Sequence, residues 1–136
     1  MILIDLNVLL DVIQERQPHF SSSAALLDYL LKQESKAWVP AHAITTIHYL
    51  VARHASRKAA DQAVDWLLAR FRVAPVSSTE LLRARALALN DYEDAVVVAA
   101  AEQAECETIV TRNIADFTES PIPARTPEEY LILTRN

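Results

Sequence analysis

Short apolar runs alternate with longer amphipathic stretches along this chain, and the alternation predicts its secondary structure. Five runs have the length of short strands, and they lie at residues 1–5, 37–40, 73–76, 108–111 and 124–126. Between most of them, apolar side chains recur three or four positions apart, which is the spacing of a helix. We expect helices at residues 8–13, 41–54, 57–71, 81–89 and 90–104, from residue 127 onwards, and around Leu26, Leu27, Leu30 and Leu31.

Polar residues predict where two of the helices begin, and a proline predicts the place of one strand in the sheet. Ser78 or Thr79 could cap the helix at 81–89, and Asn90 with Glu93 has the spacing of a capping box. Pro75 cannot donate a ladder hydrogen bond, so it places the third strand at an edge of the sheet. Strands that alternate with helices predict an α/β fold, with a parallel sheet between helices on both faces.

Composition narrows the class of protein. The chain has 136 residues, 51% of them hydrophobic, so we expect residues 1–136 to form a single domain. It contains no glycine, which excludes a Walker A loop and a G-x-G-x-x-G fingerprint. Its one cysteine, Cys106, cannot form an intrachain disulfide and is expected to be a buried apolar residue. We expect a cytoplasmic protein with no membrane segment, because no apolar run approaches the roughly 20 residues that span a bilayer and no secretory signal begins the chain.

The charge balance limits how this chain could bind nucleic acid. Thirteen Lys and Arg against eighteen Asp and Glu give a net charge of −5 at pH 7, whereas proteins that bind nucleic acid through charge alone are usually basic. RNA binding would therefore need a local basic patch, or metal ions that neutralise the protein's own acids. The densest basic run includes Arg53 and Arg57, and it is either a solvated helix end or a contact for an RNA backbone.

Acidic residues occur where the predicted strands end and the following helices begin. Asp5 ends the first strand, Asp91 and Asp94 open the helix at 90–104, and Asp116 follows the fourth strand. In a parallel α/β sheet these positions meet at one edge, where ligands bind. Asp91 and Glu93 also have an ordinary role at a helix N-terminus. Asp94 is harder to explain in that way, because it begins an apolar helix face, where a carboxylate is costly unless it is paired or binds metal.

Three carboxylates at one edge of a sheet indicate a cation site. Asp5, Asp94 and Asp116 would repel one another and stay ionised only if a cation neutralises them. Oxygen ligands suit Mg²⁺ or Mn²⁺, which polarise phosphoryl oxygens and activate water. Phosphodiester hydrolysis fits this ligand set. Thr111 and Asn113 could support it through hydrogen bonds, although both are also ordinary turn residues, and Asp116 could instead cap a helical turn.

These residues resemble the motifs of the PIN domain family, over positions 1–117. Residues 4–11, which read Ile-Asp-Leu-Asn-Val-Leu-Leu-Asp, are similar to its first motif, with Asn7 two positions after Asp5. Residues 91–95 resemble its third motif, and residues 109–117 resemble its fourth, which is the most specific piece. The order and spacing of the motifs carry the resemblance together.

The resemblance implies a fold, an activity and partners. The fold is a three-layer α/β/α sandwich with a mostly parallel sheet of four or five strands. The activity is a Mg²⁺- or Mn²⁺-dependent endoribonuclease. Its catalytic metal ligands would be Asp5, Asp94 and Asp116, supported by Asn7, Thr111 and Asn113, and Arg112 could contact an RNA phosphate. Small members are similar to VapC toxins, which cleave RNA, are inhibited by a co-expressed antitoxin and commonly form homodimers.

The sequence departs from the family in the helix after the second strand. The family usually has a Glu there, and Thr46 occupies that position. Thr46 could hold a water ligand of the ion but adds no charge, and the fourth acid could come from Glu93 or Asp91. His48 points about 160° away from Thr46 around a helix, so we expect it to be a surface or packed histidine.

Three other functions compete with a ribonuclease. An aspartyl-phosphate phosphatase would need a second acid where the chain has Asn7. A phosphoacceptor signalling domain would need a lysine after a late strand, and the sequence contains none after Lys58. A weakly active or non-catalytic PIN-like protein that binds RNA or a partner is favoured by Thr46.

Overall fold

A computed structural model of the protein describes residues 1–33 and 37–134. Within them lie five strands, namely β1 (Ile2–Ile4), β2 (Trp38–Pro40), β3 (Arg72–Ala74), β4 (Thr108–Val110) and β5 (Ala124–Arg125). They form one sheet in the order β3-β2-β1-β4-β5, and all neighbouring strands are parallel. The predicted parallel sheet is therefore confirmed, with β3 at the edge that Pro75 indicated.

Seven α-helices occur in the same described residues. They are α1 (Leu6–Ile13), α2 (Phe20–Lys32), α3 (Ala41–His54), α4 (Arg57–Arg70), α5 (Ser78–Arg85), α6 (Tyr92–Gln103) and α7 (Pro127–Thr134), and a 3₁₀ turn spans Ile114–Phe117. None of these helices is long and apolar enough to cross a membrane.

Side chains of the central strands alternate between two cores, one on each face of the sheet. Ile2 and Ile4 pack with buried residues of α1, α2, α3, α4 and α7. Leu3 and Ile109 point the other way and pack with α6. Cys106 is buried in this second core, as expected. The arrangement is the three-layer α/β/α sandwich that the resemblance implies.

The N-caps of two helices lie one or two residues from the predicted positions, and α5 ends at Arg85, so residues 86–89 of the predicted helix lie outside it. Ser77 caps α5 and forms a capping box with Glu80. Asp91, and not Asn90, caps α6, because its carboxylate accepts a hydrogen bond from the Asp94 N–H at 3.1 Å. A side chain at the N-cap reaches the N–H groups two or three residues on, and Asn90 is one position too early to do so.

Two leucines of the predicted helix stripes are not part of the core. Leu31 of α2 is 41% exposed, and Leu68 of α4 is 53% exposed. Leu27, one turn before Leu31, is buried instead, and so is Leu67, the residue just before Leu68. The apolar stripe of each helix is thus wider than the surface that the helix buries.

Two helices end on a glutamate with left-handed backbone geometry. Glu15 after α1 has φ 49° and Glu105 after α6 has φ 59°. At the second site the Cys106 N–H donates to the Ala101 carbonyl at 2.9 Å and the Glu105 N–H donates to the Glu102 carbonyl at 3.0 Å, which is a Schellman motif. Glycine usually occupies this position, and a residue with a Cβ atom pays about 1–2 kcal/mol there.

Candidate functional site

Asp5 lies directly after β1, at the carboxyl edge of the sheet. The pairing with β4 continues through its backbone, because the Asp5 N–H donates to the Val110 carbonyl at 2.9 Å. This register brings Thr111, the first residue after β4, beside Asp5. Thr111 Oγ1 donates to Asp5 Oδ2 at 2.9 Å, and the Leu6 N–H donates to Oδ1 at 2.8 Å. Both oxygens of a carboxylate that is only 7% exposed therefore have a partner.

Two asparagines hold the Thr111 hydroxyl in place. Asn7 Nδ2 donates to Thr111 Oγ1 at 3.3 Å, and the Asn113 N–H donates to the same oxygen at 3.2 Å. Asn7 Oδ1 also accepts the Arg112 N–H at 3.3 Å. The hydroxyl thus donates once and accepts twice, which uses its full hydrogen-bonding capacity. The structure brings the predicted supporting residues Asn7, Thr111 and Asn113 together around Asp5.

Three of the other predicted acids border a cleft at the same edge. Its volume is about 290 Å³, and Asp91 and Asp94 of the α6 N-terminus line it together with Asp116 of the 3₁₀ turn. Glu119, which the sequence did not single out, also lines this cleft. The negative charges of Asp5 and Asp116 both act on Asp94, so the three predicted ligands lie within electrostatic reach of one another.

Burial and mutual repulsion raise the pKa values of two of these acids. Burial is the largest cause at Asp94, and the charges of Asp5, Asp91, Asp116 and Glu93 add to it, which raises the Asp94 pKa to about 7. Burial also raises the pKa of Asp5 above its usual value, and the bonds from Thr111 and the Leu6 N–H act against this. A cation in the cleft would favour the ionised form of both groups.

The donor set fits a hard divalent ion in its chemistry. Carboxylate oxygens are the ligands that Mg²⁺ and Mn²⁺ prefer, and their mutual repulsion is what such an ion relieves. As the side chains stand, no three His, Cys, Asp or Glu residues of the described chain are close enough to share one ion. Asp116 and Glu93 are exposed and can turn, whereas two hydrogen bonds fix Asp5.

The first turn of α3 brings His42 near the acids. The charge of Glu93 acts on both His42 and Asp5. Nδ1 of His42 is buried without a hydrogen-bond partner among the described residues, and burial lowers the pKa of the ring. Thr46 lies one turn further along α3 and donates its hydroxyl to the His42 carbonyl at 3.2 Å. His42 is missing from the predicted site residues, although its place just after β2 is the same signal that identified Asp5 after β1.

The predicted basic contacts do not converge on the acids. Arg112 turns its guanidinium to a buried carboxylate, with Nε 2.8 Å from Asp11 Oδ2. Arg53 lies in the last turn of α3, and Arg57 begins α4. Because a helix rises 1.5 Å per residue, Arg53 is roughly 16 Å along α3 from His42, which lies near the acids.

His48 behaves as a surface histidine. Its Nε2 lies 2.7 Å from Asp61 Oδ1, and both side chains are partly exposed. This agrees with the position expected from its angle to Thr46 on the helix.

Comparisons with known proteins identify the family and the fold of this chain. A sequence profile of the PIN domain matches residues 1–115, and no protein with a curated description matches the chain. One similar solved structure is VapBC2 from Rickettsia felis bound to a DNA fragment from their promoter, at 18% identity and a TM-score of 0.72, covering 93% of this chain and 98% of that one. A toxin–antitoxin complex from Klebsiella pneumoniae is similar at 20% identity and a TM-score of 0.71, with the same coverage of 93% and 98%.

A third similar structure is VapC20 from Mycobacterium tuberculosis, described as a sarcin–ricin loop cleaving toxin. It has 14% identity and a TM-score of 0.64, and the match covers 80% of this chain and 87% of that one. At these identities the structural likeness concerns the fold alone, whereas the profile match extends over most of the sequence. The chain belongs to the PIN domain family.

Proposed function

We propose that the protein is a metal-dependent endoribonuclease and the toxin of a toxin–antitoxin pair. The observation that carries the proposal is the meeting of Asp5, Asp94 and Asp116 at one sheet edge. They come from three separate elements, and burial together with the charges of Asp5 and Asp116 raises the pKa of Asp94 to about 7. Structural proteins have little reason to gather unpaired carboxylates in a cleft, because each one costs free energy unless a cation is bound.

The acids would hold Mg²⁺ or Mn²⁺, and the bound ion supplies a Lewis acid that polarises the phosphoryl group and activates water. The residues of the chain position the ligands. Thr111 orients Asp5, and Asp91 fixes the first turn of α6, which carries Asp94. Glu93 supplies a further carboxylate to the same edge, in place of the Glu that Thr46 replaces.

The proposed partners follow from the structural relatives. Two of the similar structures are toxin–antitoxin complexes, and a third is described as a sarcin–ricin loop cleaving toxin. We therefore infer an RNA substrate and an antitoxin protein for this chain. The family also supports a homodimer, and residues 1–136 would form a single PIN-like domain.

An RNA cleavage assay tests the proposal. The wild-type protein should cleave in Mn²⁺ or Mg²⁺ and lose activity in a chelator. Asp5→Asn should reduce the rate by more than about 100-fold, since even residues that only support metal ligands contribute 10–100-fold. Asp65→Asn, an exposed carboxylate on α4, is the matched control and should cleave like wild type. If wild type is inert on several RNAs with both metals, or if Asp5→Asn cleaves equally well, the nuclease assignment is wrong.

A non-catalytic PIN-like protein is the second candidate, and Thr46 favours it. Thr46 brings no charge, and its hydroxyl donates to its own helix. This candidate predicts that wild type binds RNA or an antitoxin without cleaving RNA. The Asp5→Asn variant should then bind as tightly as wild type and should also leave the RNA intact.

A further inference from the structure

Asp11 is a fully buried carboxylate that the proposed ligand set does not use. It lies in α1 and is 0% exposed. Its Oδ2 accepts a hydrogen bond from Arg112 Nε at 2.8 Å and another from Ser23 Oγ at 3.1 Å. Its Oδ1 has no partner among the described residues. The Asp11 carboxylate on α1 therefore connects to α2 through Ser23, and to the segment after β4 through its ion pair with Arg112.

A buried ion pair of this kind needs a reason beyond stability. Desolvation of the two charges offsets most of their attraction, so apolar residues of similar volume often serve stability equally well. What such a pair does supply is a fixed geometry, because the guanidinium and the carboxylate bind in a defined orientation. The segment whose geometry is fixed here is 111–113, which contains Arg112 itself.

That segment is hydrogen-bonded to the candidate metal centre. The backbone N–H of Arg112 donates to Asn7 Oδ1, and Asn7 Nδ2 donates to Thr111 Oγ1, both at 3.3 Å. Thr111 in turn donates to Asp5. An unbroken path of hydrogen bonds, which passes through the covalent atoms of Arg112, Asn7 and Thr111, thus runs from Asp11 to Asp5.

We propose that Asp11 and Arg112 are positioning residues for the metal centre. The pair sets the place of segment 111–113 against α1, so that Thr111 and Asn7 hold the Asp5 carboxylate in its orientation for a cation. The proposal rests on the proposed function. It also gives Arg112 a different role from an RNA phosphate contact, because its side chain is only 24% exposed and its charge is neutralised by Asp11.

The test is a double-mutant cycle read out as Mn²⁺ affinity. Calorimetric titration compares wild type, Asp11→Asn, Arg112→Gln and the double variant, each checked for folding by thermal melting. Each single change should lower Mn²⁺ affinity about tenfold, the lower end of what supporting residues contribute. The double variant should bind no more weakly than the weaker single variant, since both changes break one link.

Two controls separate positioning from general destabilisation. Glu102→Gln breaks the Arg83–Glu102 ion pair, in which Arg83 Nε lies 3.0 Å from the carboxylate on the far end of α6. Ile47→Val weakens the core into which Val8, Leu9 and Leu10 of α1 pack, without touching the hydrogen-bonded path. Both should leave Mn²⁺ affinity unchanged. Should Asp11→Asn fail to fold, Arg112→Lys, which keeps the charge and loses the Nε bond, carries the test alone and should also lower Mn²⁺ affinity.

The other outcomes overturn the proposal in distinguishable ways. Equal Mn²⁺ affinity in wild type and the folded variants means that the pair is merely structural. If Arg112→Gln lowers RNA affinity while Mn²⁺ affinity stays constant, Arg112 is an RNA contact. If wild type binds no Mn²⁺ at all, the metal centre itself is absent, and the positioning role fails together with the proposed function.

Discussion

Thr111 Oγ1 donates a 2.9 Å hydrogen bond to the buried carboxylate of Asp5, although 106 positions separate the two residues along the chain. The contact is a consequence of the parallel pairing of β1 with β4, in which Ile4 lies opposite Val110. The residues that follow each strand then emerge side by side. This bond is one of several that join the first and fourth motifs of the sequence.

Thr111→Val should weaken the site while keeping its shape. The change removes the only side-chain donor to Asp5 Oδ2 seen in the described structure, so the Asp5 pKa should rise further and Mn²⁺ affinity should fall about tenfold. Loss of the partner of a buried polar group should cost about 1–3 kcal/mol of unfolding free energy. Calorimetry and urea unfolding measure the two effects. Thr111→Ser keeps the hydroxyl and should resemble wild type, and an equal loss in both variants would argue against the bond.

Metal binding should depend on pH through Asp94. Because its pKa is about 7 without a cation, Asp94 is protonated below that pH and must release its proton when metal binds. The apparent Mn²⁺ affinity should therefore rise as pH increases from about 5.5 to 7, by at most about tenfold per unit, and level off above pH 8. Titrations at several pH values measure this. A flat profile in wild type would contradict the protonation of Asp94.

The same shift predicts the pH dependence of stability without metal. The folded-state pKa of Asp94 lies above its unfolded value of 3.8, so between pH 3.8 and about 7 the folded state binds more protons. The contribution of Asp94 to stability is complete below this window and is lost as pH rises through about 7. Asp94→Asn should show a shallower decrease in unfolding free energy between pH 5 and 8 than wild type, and an identical slope would exclude Asp94 as its source.

Thr46→Glu should restore the acid that the family usually has in this helix. Thr46 lies one turn after His42 on α3, and it is partly buried. An added carboxylate there should raise Mn²⁺ affinity and the rate of RNA cleavage. The matched control is Thr45→Glu, because Thr45 is exposed on the adjacent position. The idea fails if both variants bind Mn²⁺ with the same affinity as wild type.

Glu105→Gly should stabilise the protein, in spite of glycine's greater freedom in the unfolded chain. The left-handed backbone at Glu105 strains a residue with a Cβ atom, and glycine relieves this, for a net gain of about 0.5–1 kcal/mol. Gln103 lies two positions earlier, in the helical last turn of α6. The control variant Gln103→Gly should therefore lower the unfolding free energy by a similar amount. Thermal and urea unfolding compare them. A lower melting temperature for Glu105→Gly would show that the conformation is not strained.

The sequence predicts most of the fold because the strands are short, apolar and separated by helices. It also predicts which ends of the strands carry the acids, since topology alone places Asp5, Asp94 and Asp116 at one edge. The sequence does not predict which residue caps α6. Asn90 and Asp91 both favour the N-cap position, and only the path of the chain decides between them.

The link between Asp11 and Arg112 could not be predicted from the sequence. Both residues fall within segments that resemble family motifs, but 101 positions separate them and their pairing depends on how α1 packs beside β4. The place of His42 just after β2 is a signal for it in the sequence, but a weak one. His42 lies in the helix that lacks its expected acid, and a histidine on a partly buried helix face most often has no functional role.

The acids at this edge should together form one cation site. Anomalous diffraction at the manganese absorption edge, from crystals containing Mn²⁺, would locate the ion. A peak is expected within coordination distance of carboxylate oxygens from Asp5 and at least one of Asp94 and Asp116. If a saturating Mn²⁺ concentration gives no peak there, or a peak only elsewhere on the protein, these acids do not share a cation.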